Sequence, residues 1–397
     1  MIFKNIVLGL LCIANLLFGP TKDIDVNNIL KESINTFTYK IELEARQDAL
    51  EKYRAELEKL RKSRVRIFAA GDFMTHGPQL KGAKYNDGYK FDEYFKYLPF
   101  FKEADLAMIN YETTVSHNGQ YTGYPTFSSP ESSVEAIKNS GFDVIATANN
   151  HAFDKGFKGI DKTIDTIKSY GMDNVGTYKD ANNMPLIKEV NGIKFGISAY
   201  TYSINGFDSR VKGTDKAYAV NFIDMDKIKK DVEYMDANDV DVKLVYMHWG
   251  VEYQLKPNKA QENTAKKLNE LGVDIILGSH PHVIQKCDVI ESGGKKTYVC
   301  YSMGNFVSNQ RREFMPNRYS ENELMMEVIL QKTPNGVVVE KFEAHPLWVD
   351  KYRTSGRDHY NVIPVREALD GSIKVERINQ IKNKLLQSLE DFNSIYK

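Results

Sequence analysis

Four of the eight histidines in this 397-residue chain fall in short segments that also carry carboxylates and amides. The segments read Gly71-Asp72, then Glu112, then Asn149-Asn150-His151 with Asp154, then His248-Trp249-Gly250 with Glu252, and last Gly278-Ser279-His280-Pro281-His282. Imidazole nitrogen, carboxylate and amide oxygen are the donors that suit Zn, Mn, Fe or Mg, and a thiolate site would need cysteines that these segments lack. A lone histidine in such a place is more often a satisfied core or surface residue than a ligand. Five convergent polar segments make that explanation poor for the group, although any one member can support a ligand instead of being one. His280 and His282 are two residues apart, so they point to one side if the segment is extended, and Pro281 stiffens it.

What must bring these residues together is a set of strands. Short β-branched runs precede the polar segments: Val65 to Ala70, Leu106 to Asn110, Val144 to Ala148, Val242 to Met247 and Ile275 to Leu277, with further runs at Lys194 to Tyr200 and Tyr298 to Tyr301. Amphipathic segments lie between them, near Phe91 to Phe101, Ser132 to Ser140, Gly159 to Tyr170, Met225 to Ala237 and Lys259 to Leu271. That alternation predicts βαβ units and an α/β fold. Every polar segment then sits just beyond the C-terminal end of a strand, the edge of an open α/β sheet where binding sites form. Leu324 to Gln331 and Val337 to Phe342 look like strands with no helix between them, so a mixed or second sheet is expected. The domain is expected over 64–350, followed by a charged helical extension over 351–397.

Lys plus Arg and Asp plus Glu stand at 53 each, so no long-range field would gather nucleic acid, and an anionic partner must be held locally. Lys4 followed by an uncharged run from Ile6 to Phe18 has the pattern of an export signal. Pro20 suits an uncleaved anchor over 1–20 better than a removed signal. The expected placement is a single pass through the cell membrane with the soluble domain outside the cytoplasm. From 21 to 63 apolar residues recur at helical spacing among Glu and Lys, which predicts a helical stalk or a helix packed on its own domain. Cys287 and Cys300 flank Ser292-Gly293-Gly294-Lys295, a two-residue hairpin turn whose register sets them opposite each other. A disulfide is favoured there over two buried thiols.

The succession Asp72, Asn150-His151, a lone His248, then His280-Pro281-His282 resembles the ordered motifs of calcineurin-like metallophosphoesterases. More closely, GDFM, NYETT, NNHAFDKG, MHWGVEY, GSHPHV and YSMGNF, spread over Val65 to Val307, resemble the bacterial capsule-synthesis family of CapA type, associated with poly-γ-glutamate capsule. The resemblance implies a sandwich of mixed β-sheets flanked by helices. It implies Asp72, Glu112, Asn150, His248, His280 and His282 as ligands for one or two divalent ions. His151 would be the general acid, oriented by Asp154, and two ions would activate water and neutralise a phosphoryl oxygen. Two departures fall on the same ion: Met74 stands where a histidine is wanted, with His76 two residues on as a substitute, and Glu112 replaces an aspartate. Asn305, Glu252 and Tyr253 would contact substrate, with a turn role for Gly304-Asn305 equally open, and Trp249 is either a pocket wall or packing. Arg311-Arg312 is either an anion contact or a solvated pair. The implied function is assembly or export of an anionic capsule polymer, as an enzyme at a phosphate or acyl centre, as a polymer-binding subunit among other capsule subunits, or as a phosphoesterase acting on nucleotides or cell-wall phosphates.

Overall fold

The computed structural model describes residues 26–314 and 317–396, in two units divided between Lys62 and Ser63. Among the described residues the first contains one helix, α1 (Val26–Lys62), whose Ile34, Phe37, Ile41 and Leu50 are exposed. The expected anchor over 1–20 lies outside the described residues. No helix among the described residues is long and apolar enough to cross a membrane.

The second unit is built on strands β1 (Arg64–Phe73), β2 (Leu106–Tyr111), β3 (Val144–Ala146), β4 (Asp173–Val175), β5 (Leu186–Val190), β6 (Ile193–Thr201), β7 (Val242–His248), β8 (Ile275–Ser279), β9 (Cys287–Ser292), β10 (Lys295–Cys300), β11 (Asn322–Thr333), β12 (Gly336–Thr354) and β13 (Arg357–Pro364). One sheet has the order β13-β12-β11-β1-β2-β3-β4 and the other β9-β10-β8-β7-β6-β5. Strands β1 to β4 are parallel and β11 to β13 antiparallel. In the second sheet β6, β7, β8 and β10 are parallel, edged by antiparallel β5 and β9.

Alternation along each strand sorts the side chains into layers. Val65, Ile67 and Ala69 of β1 meet Ile197, Leu244 and Leu277 in a core between the sheets. Phe68 and Ala70 face the other way, toward Val134 and Ile137 of the helix Ser132–Asn139. Across the second sheet Val245 and Ile276 pack on Ile228 and Val232 of the helix Met225–Ala237 and on Ala265 and Leu268 of the helix Lys259–Leu271. The result is a helix, sheet, sheet, helix sandwich. Both sheets are covered on both faces, which is why their central strands read as near-continuous apolar runs.

Three expectations are corrected. The helix expected over Phe91 to Phe101 is two 3-10 turns, Asp92–Phe95 and Pro99–Glu103, because Pro99 drives Leu98 out of the helical region, to φ −121 and ψ 70. The extension over 351–397 is no appendage: β13 is the edge strand of the first sheet, and Phe392 of the helix Ile378–Ile395 enters the inter-sheet core. Cys287 does face Cys300 in register, yet both thiols are free. Cys300 is buried in the inter-sheet core and Cys287 lies 3.7 Å from Met326 Sδ, so they pack as small apolar side chains.

The sheets are knitted at the edge that matters. Met303 N donates to Gly278 O at 2.9 Å and Asp72 N to Gly304 O at 3.0 Å, so the segment 301–304 bonds to β8 of one sheet and β1 of the other. The approach leaves no room for side chains at two glycines. A Cβ on Gly71 would collide with the Gly304 carbonyl, and one on Gly278 with the Tyr301 carbonyl. Gly278→Ala should therefore lower unfolding free energy by about 1–3 kcal/mol, the usual cost of overpacking. Gly77→Ala, where a Cβ meets nothing within 4 Å, should change it little; denaturant titration of both variants checks this.

Candidate metal centre

Asp72 lies near the end of β1, and its carboxylate is fixed by two donors: Asn110 Nδ2 reaches Oδ1 at 2.7 Å and the backbone N of His280 reaches Oδ2 at 3.1 Å. Glu112 follows β2 and is fully buried. It stands 3.6 Å from His248 Nε2 and 3.7 Å from His282 Nε2. His248, the last residue of β7, is oriented by Ser279 Oγ at 2.9 Å from Nδ1, which turns Nε2 toward Asn150 Oδ1 at 2.9 Å. His282 Nδ1 donates to Asn305 Oδ1 at 3.0 Å and lies 3.4 Å from Asp72 Oδ2. In His248 and His282 one imidazole nitrogen thus has its own partner, the arrangement that fixes tautomer and direction in a ligand.

The donors fall into two groups that share Glu112: Glu112, His248 and His280, and Asp72, Glu112 and His282, each with its ligand atoms within 4.8 Å of one another. All six expected ligands are brought together, since Asn150 joins through His248. The bend that unites the histidines differs from the expected one. His280 has φ 95 and His282 φ 56, so the segment is not extended; two left-handed residues around Pro281 turn both rings inward. His76 joins no such group: its Nδ1 accepts from Asn309 N at 3.3 Å and its ring meets the edge of Phe127.

Three atoms show what the cluster fits. Neither carboxylate oxygen of Glu112 has a hydrogen-bond partner, nor has His280 Nδ1, although all three are buried. A buried carboxylate without donors is strongly disfavoured, and burial followed by the nearby Asp72 charge pushes Glu112 well above the usual carboxylate range. Burial, then the imidazoles of His280 and His282, hold His248 well below the ordinary histidine value; His280 is lowered to about 3, with burial again the main cause. Neutral imidazoles around a donorless carboxylate are what a divalent cation requires. Asp72, Glu112, Asn150, His248, His280 and His282 would hold one or two such ions. A further group, Glu327, Glu343 and His345, is a different case, because Glu327 already accepts from Arg66, Lys341 and His345.

Beside the centre, His151 Nδ1 bonds Asp154 Oδ2 at 2.8 Å, and that oxygen also accepts from Phe127 N at 2.6 Å. Glu252 is exposed at the mouth, and the Tyr253 ring lies 6.1 Å from that of His282. Asn305 is already engaged: its Nδ2 lies within hydrogen-bonding distance of His282 O, Gln310 Oε1 and Ser320 O, and its Oδ1 holds His282. It is a positioning residue. Trp249 is packing, with Nε1 on Tyr301 O. Arg311 is buried against Val349 O and Glu321, while Arg312 is exposed and forked onto Glu321. Asn110 escaped the sequence reading. Its signal was parity: Asn110 and Glu112, two apart at a strand end, share a face.

These features define a candidate divalent-metal centre at the strand ends of a two-sheet sandwich. The family described as Bacterial capsule synthesis protein PGA_cap matches residues 66–310, and the chain belongs to that family. It is 34% identical over 232 residues to "Capsule biosynthesis protein CapA" of Bacillus anthracis, covering 56% of this chain and 55% of that one. To "PGA biosynthesis protein CapA" of Bacillus subtilis (strain 168) it is 31% identical over 229 residues, covering 55% and 57%. The chain spans about half the length of these curated relatives. The solved calcineurin-like phosphoesterase YfkN from Bacillus subtilis is similar at a TM-score of 0.41 and 15% identity, over 83% of this chain and 99% of that one; so distant a likeness says nothing of chemistry.

The buried acid generates one prediction. Metal-free Glu112→Gln protein should unfold at the same or a higher temperature than metal-free wild type, while added Mn should stabilise wild type only, as read by thermal melts with and without chelator. The histidines generate another. His280, at 6.5 when unfolded and about 3 when folded, is protonated in the unfolded chain first, so stability present above pH 6.5 is lost as pH falls toward 3. Chemical denaturation of metal-free protein across that window should show the loss, and His280→Gln should make it shallower.

Proposed function

We propose that this chain is a divalent-metal-dependent hydrolase or transferase acting at a phosphate or acyl centre in the assembly or export of an anionic capsule polymer of poly-γ-glutamate type. The observation that carries the reading is Glu112: a buried carboxylate with no donor, ringed by His248, His280, His282 and Asp72. Membership of the capsule-synthesis family and the CapA relatives support the polymer. The apolar run from Ile6 to Phe18 supports a domain tethered to the cell membrane and facing outward, where other capsule subunits would be its partners.

The centre's own residues divide the work. A bound ion supplies Lewis-acid charge neutralisation and an acidified water. His151 supplies the proton. Asp154 fixes its Nδ1, leaving Nε2 as the atom that carries a proton to a departing oxygen. Asp154 is held in turn by the Phe127 amide, and the Phe127 ring packs edge-on against His151 with centroids 4.6 Å apart. Asn205 ties this pair to the ligands: its Nδ2 lies 3.3 Å from His151 Nδ1, and its Oδ1 accepts from Asn150 at 3.2 Å. A subunit that only gripped carboxylates would have no use for an oriented, buried His–Asp pair.

The test is turnover of phosphate and acyl esters by full-length protein loaded with Mn or Zn. His151→Ala should lower kcat by roughly 10²- to 10⁴-fold and leave metal affinity unchanged. The loss should be smaller on p-nitrophenyl esters, whose leaving group needs no proton. Metal and poly-γ-glutamate bound without turnover of any ester would establish a binding subunit instead. Turnover confined to nucleotides or cell-wall phosphates would leave the enzyme and remove the capsule role.

A further inference from the structure

Glu252 stands on the loop after β7, and that loop is held unusually firmly for one that carries an exposed carboxylate. Gly250 has φ +93 and Tyr253 φ +65. A Cβ on Gly250 would come within 2.8 Å of the Gln261 side chain. Tyr253 N donates to Pro281 O at 2.7 Å, so the loop is bonded to the residue between His280 and His282. On the far side Gln285 Nε2 donates to Gln254 O at 2.7 Å, and Gln261 Nε2 holds Gln285 Oε1 at 2.9 Å. The left-handed backbone of Tyr253, kept in place by these bonds, points to a use at the site the loop shapes.

What the loop presents is a carboxylate oxygen within 4.8 Å of a nitrogen of His280 and a nitrogen of His282. His280 is buried and its Nδ1 has no partner. The group of Asp72, Glu112 and His282 offers only three protein donors, fewer than the four to six that the ions in question take (roughly).

We propose that Glu252 is itself a metal ligand, reaching from the solvent side to an ion held by His280 and His282. The inference rests on the divalent-metal reading of the centre and adds a ligand to it. Unlike the six buried donors, this one is exposed, so it can exchange. An anion entering the centre competes with it, which makes Glu252 a gate that selects for substrates able to displace a carboxylate.

The experiment is Mn titration of chelator-stripped, full-length protein by calorimetry and electron paramagnetic resonance, comparing wild type, E252Q, E252A and E112Q. Glu252 is exposed, so both of its variants should keep the wild-type circular dichroism. They should bind Mn more weakly, by roughly 10- to 100-fold on the scale set by groups that support a metal site, with an altered Mn spectrum. Inorganic phosphate should bind the Mn-loaded E252Q protein more tightly than wild type. Wild-type affinity and spectrum in E252Q and E252A, with binding lost in E112Q, would overturn the role of Glu252 and leave the centre standing. Failure of wild type to bind Mn would overturn both.

Discussion

The arrangement turns on one buried carboxyl group that no donor serves. Glu112 is enclosed by protein and receives no hydrogen bond at either oxygen, while Asp72 next to it is served by two donors. Removing a carboxylate from water costs several kcal/mol (roughly) unless a partner replaces the lost hydration. The partners around Glu112 are imidazoles that burial keeps neutral. They offer lone pairs and no compensating positive charge. A cation bound between them would satisfy carboxylate and imidazole together, and the polar residues behind them act as supports: Ser279 for His248, Asn305 for His282, Asn110 for Asp72.

The fold exists, in effect, to bring two sheets to one edge. Asp72 and Glu112 come from the first sheet, His248 and His280 from the second, and the turn 301–304 is bonded to both. Close approach there depends on Gly71 and Gly278, where even a methyl group would strike backbone. Local strain is concentrated at the same place. His280 and His282 both hold left-handed backbone conformations, each costing on the order of 1–3 kcal/mol, and such strain persists where surrounding bonds over-determine it.

The sequence made the candidate ligands legible because imidazole and carboxylate are scarce at strand ends and here recur at five of them. Strand and helix positions followed from apolar period; Met225–Ala237 and Lys259–Leu271 end where their patterns end. The misses share a cause: they depend on neighbours distant in sequence. Nothing local shows that the Asn305 amide is bonded to His282, Gln310 and Ser320. Arg311 is buried by Glu321 and the Val349 carbonyl, which pattern cannot see. The left-handed turn at His280-Pro281-His282 defeats any expectation built on extended geometry, and β13 was obscured by the charged sequence around it.

Family membership supplies a capsule context for residues 66–310, and the side chains supply a candidate metal centre with the bonded His151–Asp154 pair beside it. The two meet only if the centre holds an ion. Crystals of the full-length protein grown with Mn or Zn, with anomalous scattering measured at the metal edge, test this most directly. The account predicts a peak within bonding distance of Glu112, His248 and His280, at about 2.0–2.2 Å for Zn. An edge signal absent from that point, or present only beside Glu327 and His345, would contradict it.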